Sequence, residues 1–236
     1  PTPSTIAAWT LRGRAATTFD GARLDLDACG RGIAMPGGRD TVLGVDLRTA
    51  CEAGDHWLRD NDLIAIYEPA DARRLRATAV WSPRPAAGCP ACSAWELELS
   101  AQTALVQSDS ALAVTCDVDC RDLLWSRDPQ AAGWQPAGDG VPPEDATCLL
   151  VRRPGAAGAA ATSVLVAVHP GDARRIVVRR EAGRAAIECW LFSSAIEKGV
   201  LMRGRVLAAV GPSSADEAWS AAIVAAFAAE PPPLTA

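Results

Sequence analysis

Apolar and polar residues alternate with a period of two through most of this 236-residue chain. That period fits strands whose two faces meet different surroundings. In "ARLDLDACG" (22–30), Leu24 and Leu26 oppose Asp25 and Asp27. In 74–81, Leu75, Ala77, Ala79 and Trp81 oppose Arg74, Arg76, Thr78 and Val80. In "AWELELSAQ", Trp95, Leu97 and Leu99 oppose Glu96, Glu98 and Ser100. Segment 61–69 is apolar on both phases and reads as a mostly buried strand. Further strands are predicted at 111–118, 148–153, 163–169, 174–180, 184–192 and 199–210. Turn chemistry separates them, as at Pro69-Ala70-Asp71, Pro154-Gly155 and His169-Pro170-Gly171-Asp172. About ten to thirteen strands with short connections predict an all-β, large antiparallel β-sandwich and not βαβ units.

One helix is predicted, over 214–229. Ser214 and Glu217 have the spacing of a capping box. Trp219, Ile223 and Phe227 recur every fourth residue, with Val224 widening the stripe. Pro231-Pro232-Pro233 stops it. The stripe is expected to lie against the sandwich. Segments 126–146 and 154–162 read as long loops. No internal repeat or linker divides the chain, so 1–236 is expected to be a single β-sandwich domain. Many strands followed by a terminal helix, at this length, resemble the large two-sheet supersandwiches of the galactose-mutarotase type. The resemblance is one of architecture, and no family motif carries catalytic residues with it.

The net charge is −5, and arginine supplies every basic residue except Lys198, with no basic stripe. Nucleic acid is therefore not an expected partner. No apolar run reaches the ~18 residues that a membrane helix needs, so no membrane partner is expected. No signal peptide is visible, and the cytoplasm is the favoured compartment. Oligomeric state is not legible.

Eight cysteines occur, with Cys89/Cys92 and Cys116/Cys120 closely spaced. Unbonded thiols, disulfides and a zinc site all fit the count. A redox motif would open a helix after a strand, whereas Cys89-Pro90-Ala91-Cys92 precedes a strand. The expectation is that this pair decorates a hairpin loop between 74–81 and 94–100 without zinc. Cys189 alternates with Ile187 and Leu191 and is predicted to be a buried thiol.

The chain has two histidines, His56 and His169. No nucleophile elbow or phosphate-binding glycine motif is present, and no cofactor is expected. Asp55, His56, Asp60 and Asp62 read as a solvated loop ahead of a strand at 63–68. His169 precedes Asp172, whose carboxylate is placed to orient the imidazole. The candidate ligand-binding residues are Glu188, Trp190, Arg203, Arg205 and His169. If 184–192 and 199–210 pair across the connection 193–198, Glu188 opposes Arg203 and Trp190 opposes Leu201, with Arg174 beside them. A carboxylate, an indole and guanidinium groups on one face suit a sugar or small acid. Trp125 and Trp134 flank a Pro/Gly-rich loop as core or cover residues.

Three functional classes follow. The first, a non-catalytic domain binding a carbohydrate or protein partner, is favoured. The second is a sugar-acting enzyme of mutarotase-like type using Glu188 or His169. The third is a structural or accessory domain with no small-molecule site.

Overall fold

The computed structural model describes residues 8–18, 20–36, 39–50, 52–137, 145–155, 160–172, 175–192 and 194–231. These form nineteen strands, a 3-10 turn at Cys29–Arg31 and one α-helix. The first strands are β1 (Trp9–Arg12), β2 (Ala15–Thr18), β3 (Arg23–Asp25), β4 (Ile33–Ala34), β5 (Thr41–Asp46), β6 (Ala53–Arg59) and β7 (Asp62–Tyr67). Then come β8 (Leu75–Arg84), β9 (Ser93–Thr103), β10 (Gln107–Asp109), β11 (Leu112–Asp119), β12 (Asp122–Ser126) and β13 (Gln135–Pro136). Next are β14 (Cys148–Arg152), β15 (Thr162–Val168), β16 (Arg175–Glu181), β17 (Arg184–Phe192), β18 (Ala195–Glu197) and β19 (Met202–Pro212), and α1 is Asp216–Ala229.

Two large antiparallel sheets stack face to face. One runs β1-β2-β3-β4-β5-β11-β17-β16, and the other runs β13-β12-β14-β15-β19-β9-β8-β7-β6. The predicted all-β sandwich is the observed architecture. Alternation places Trp81, Trp95, Leu97, Leu99, Val114, Ile187 and Cys189 between the sheets, all fully buried or nearly so. Two of the inward indole nitrogens find backbone acceptors, as buried polar groups generally do. Trp9 donates to the Trp81 carbonyl at 3.0 Å, and Trp81 donates to the Leu43 carbonyl at 2.9 Å. Cys189 is a buried thiol whose pKa burial pushes up.

The hairpin assumed between 184–192 and 199–210 does not form. β17 pairs with β11 and β16, whereas β19 pairs with β15 and β9. The chain between them switches sheets through β18, which pairs with β10. The two strands instead meet across the core. Added as a Cβ at Gly204, a carbon would sit 3.0 Å from the Leu191 side chain. Of the acidic stretch 54–62, expected to be loop, residues 54–59 belong to strand β6, because His56, Trp57, Leu58 and Arg59 pair with β7. The turn is at Asp60, where φ is +53°.

The helix lays its predicted stripe on the outer face of the nine-stranded sheet. Trp219, Ile223, Val224 and Phe227 cluster with Leu124, Leu150, Leu165, Leu207 and Ala209. Its start differs from the capping box. The N-cap is Ala215 at φ +58°, with no side-chain cap. Glu217 is drawn instead to Arg152 at 2.8 Å. Asp216, only 3% exposed, takes Arg152 at 2.8 and 2.9 Å and Ser163 Oγ at 2.7 Å. Cys89 and Cys92 do lie in the β8–β9 hairpin loop, joined as a disulfide. That disulfide sits under the helix. A Cβ at Gly211 would fall 2.3 Å from Cys92 Sγ and 3.1 Å from the Trp219 ring. Among the described residues, no three His, Cys, Asp or Glu side chains gather to hold a metal ion. Among the described residues, no helix is long and apolar enough to cross a membrane.

Burial alone raises the Asp216 carboxyl, but hydrogen bonds from Arg152 and Ser163 outweigh it and hold it below its ordinary value. A depressed carboxyl stabilises the fold above the unfolded pKa of ~3.9 and loses that contribution as pH falls through the folded value. Asp216→Ala is therefore expected to cost about 3 kcal/mol in urea unfolding at pH 7. That is the low end for a broken buried pair, because Arg152 keeps Glu217. The gap from wild type should narrow as pH falls below ~3.9.

Candidate functional site

Once the apolar phase of β8 and β9 turns inward, their polar phase must turn outward. The register then sets rows across the sheet. Arg203 faces Ser100, which faces Thr78, which faces Ile66. In the next row Arg205 faces Glu98, then Val80, then Ile64. In the third, Leu207 faces Glu96, then Ser82. The helix covers Leu207 and the strands beyond it. Where the helix ends, at Glu230 and Pro231, the face opens into a groove of about 930 Å³. Trp57, 41% exposed, and Leu201, 42% exposed, also line it.

The floor alternates cations and anions. Arg84 Nε lies 2.9 Å from Glu96, and the same guanidinium also grips Glu230 at the helix end. Arg203 Nε lies 3.5 Å from Glu98. Ser82 donates to Asp62 at 2.5 Å. Arg205, 3% exposed, pairs with Asp172 at 3.4 Å and donates to the Pro231 carbonyl at 3.2 Å. Burial pushes the Glu96 carboxyl up; Arg84 pulls it down, and Glu230 pushes it further up. Burial likewise raises Glu98, against Arg203 and Arg205. Two adjacent outward carboxyls are thus easier to protonate than ordinary glutamates. Such a pair in a groove makes this face the candidate site.

The structure brings together only part of the predicted set. Arg203 and Arg205 share this face with Glu98. Glu188 and Trp190 lie on β17 in the opposite sheet and do not line the groove. There Glu188 pairs with Arg179 and accepts from Trp190 Nε1 at 3.3 Å. Arg48 and Arg175 lie 5.3 and 5.7 Å from the Trp190 ring. Arg174 falls outside the described residues. The separation follows from the sheet switch at β18. His169 sits beneath the helix end, with its ring edge-on to Phe227 at 5.4 Å. Its Nδ1 accepts from the Gly171 amide at 3.2 Å, which places the proton on Nε2. Asp172 does not orient it. The carboxylate is 3.9 Å away and is taken by Arg205. Burial, then Arg205, lowers the His169 pKa.

Of the acidic segment ahead of 63–68, only Asp62 reaches the groove as a carboxylate. His56 is held by the Gly54 and Gly13 carbonyls, each at 3.1 Å. Trp134 covers the start of the helix, donating to the Glu217 carbonyl at 3.2 Å. Glu96, Glu98 and Arg84 were not predicted as site residues. Their signal was the charged phase of "WELELS", which by itself is indistinguishable from a solvated sheet face.

No protein-family model matches the sequence, and no curated protein matches it significantly. Similar solved structures include a candidate mutarotase (YeaD) from Salmonella typhimurium, at 10% identity and TM-score 0.43. The match covers 86% of this chain and 90% of that one. Another is the GH36 α-galactosidase AgaA from Geobacillus stearothermophilus, at 10% identity and TM-score 0.45, covering 86% of this chain and 40% of that one. A third is a candidate aldose 1-epimerase from Klebsiella pneumoniae, at 9% identity and TM-score 0.40, covering 84% of this chain and 62% of that one.

A carboxyl whose pKa is raised on folding favours the fold below its unfolded value and opposes it as pH rises through the folded value. Glu96→Gln and Glu98→Gln are accordingly expected to melt at or above the wild-type temperature at pH 7. That advantage should disappear in melts at about pH 4, near the ordinary glutamate pKa. A loss of stability at pH 7 in both variants would contradict the raised values.

Proposed function

We propose that the groove on the nine-stranded sheet binds a carbohydrate, with Arg203, Glu98, Glu96 and Arg84 as its polar contacts. Arg205 and His169 support the wall at the helix end. The observation that carries the reading is the ordered alternation of guanidinium, carboxylate and hydroxyl groups along one open floor. A sugar ring presents hydroxyls that both donate and accept, and such a floor offers both in fixed places. The charges on the floor are nearly balanced, which suits a ligand dominated by hydroxyls. Trp57, exposed at the groove, offers an indole for the apolar face of a ring.

The raised pair Glu96 and Glu98 favours a second reading, a sugar-acting enzyme in which these two carboxyls exchange protons with the substrate. In this reading Glu96 and Glu98 take the place of Glu188 and His169, neither of which lines the groove.

Calorimetric titration with a panel of oligosaccharides tests the first reading. Arg203→Ala and Glu98→Gln are each expected to weaken binding roughly tenfold or more, the scale of one charge-assisted hydrogen bond. Glu188→Gln, on the other sheet, is expected to leave affinity unchanged. Equal loss in all three would remove the groove as the site. Exchange NMR of the anomers of a reducing sugar tests the second. Catalysed interconversion that is abolished in both Glu96→Gln and Glu98→Gln supports it, and no rate above buffer refutes it.

A further inference from the structure

At the end of the groove far from the helix, a second hollow of about 440 Å³ continues it, sharing Arg76 and Gln102 with the main groove. Arg74 and Glu68 also line this hollow. Each arginine of the main groove has a carboxylate partner: Arg59 with Asp62, Arg76 with Glu68, Arg84 with Glu96, Arg203 with Glu98 and Arg205 with Asp172. Arg74 is different. Among the described residues its guanidinium has no acidic partner, although the side chain is exposed beside the hollow.

The backbone that carries it is held in place. The Arg74 backbone is held at φ +44°, in the left-handed region that a side-chain-bearing residue adopts only under constraint. Thr103 Oγ1 donates to the carbonyls of Arg73 and Arg74 at 2.9 and 3.4 Å. Ser108 Oγ adds a bond to the Arg73 carbonyl at 3.0 Å. The Arg73 guanidinium locks the segment in turn, donating to Asp71 at 2.9 and 2.8 Å and to the Ala111 carbonyl at 2.8 Å. A guanidinium unpaired among the described residues, carried on a constrained backbone beside a hollow continuous with a polar groove, is available to an anion there.

We infer that the groove takes an oligosaccharide whose end at Arg74 carries a carboxylate, as a uronic acid does. The inference rests on the carbohydrate reading above and adds the charge and the length of its ligand. Arg74 and Arg76 against Glu68 leave one net positive charge at this end, which balances a monoanion and not a dianionic phosphate. The ten-residue strand β8 runs the length of the floor, roughly 30 Å at the rise of an antiparallel strand. More than one linked ring is needed to reach from the helix end to Arg74.

The test is an array of neutral oligosaccharides of two to six residues, each with uronate-terminated and phosphorylated counterparts. The strongest pair is then measured by calorimetry against wild type and Arg74→Gln. The uronate form is expected to bind wild type roughly tenfold or more tighter than its carboxyl-reduced partner. Arg74→Gln should bring the two to equal affinity and leave the neutral form unchanged. The advantage should also shrink in high salt. Equal binding of neutral and uronate forms by wild type, or a preference for the phosphorylated form, overturns the inference and leaves the carbohydrate reading intact. Binding of neither class overturns both.

Discussion

The outer face of the nine-stranded sheet is divided by where the terminal helix docks, and the groove follows from that division. The apolar stripe of Trp219, Ile223, Val224 and Phe227 fits only the part of the face where Leu124, Leu150, Leu165, Leu207 and Ala209 point outward. Asp216 fixes the start of the helix through Arg152 and Ser163. Gly211 makes room for Trp219 and for the Cys89–Cys92 disulfide beneath it. The other end of the helix is tied to the groove floor, since Arg84 holds Glu230 and Arg205 holds the Pro231 carbonyl. The wall and floor of the site are therefore one connected structure.

The rest of the face would be an ordinary solvated sheet if its charges were free in water. They are not. Glu96 and Arg205 are buried despite facing outward, and burial is the largest influence on both Glu96 and Glu98. Keeping two carboxylates partly out of water is costly unless arginines hold them or a ligand replaces the lost solvent. The floor has the arginines, and it has an open side for a ligand. This is the arrangement expected where stability is exchanged for binding.

The sequence carried the architecture well, because a period of two survives in strands such as β8 and β17, apolar runs such as 164–168 in β15 mark buried strands, and the helix stripe has no competing strand phase. It carried the site less well, and the reason is register. Glu188 and Arg203 lie on strands joined by a short link, and a short link normally means a hairpin. Here β18 carries the chain to the other sheet, so two strands adjacent in sequence face each other across the core. Glu96, Glu98 and Arg84 sat in plain alternation, but only the helix end at Glu230 turns that face into a groove. Strand β6 was hidden because Asp55, His56 and Asp60 resemble turn chemistry, while Trp57 and Leu58, which form part of the strand, stay exposed on an edge. The capping box at Ser214 was outcompeted by a partner far away in sequence, Arg152.

The central claim is that ligand engages the open half of the nine-stranded sheet and not the eight-stranded sheet that carries Trp190. Backbone amide shifts, followed by NMR during titration with the best oligosaccharide, test it directly. Perturbations confined to β6, β7, β8, β9, the Glu68–Arg74 turn, the start of β19 and Glu230 are predicted. Perturbations centred on Trp190, Glu188 and Arg175, with β8 and β9 silent, would contradict it.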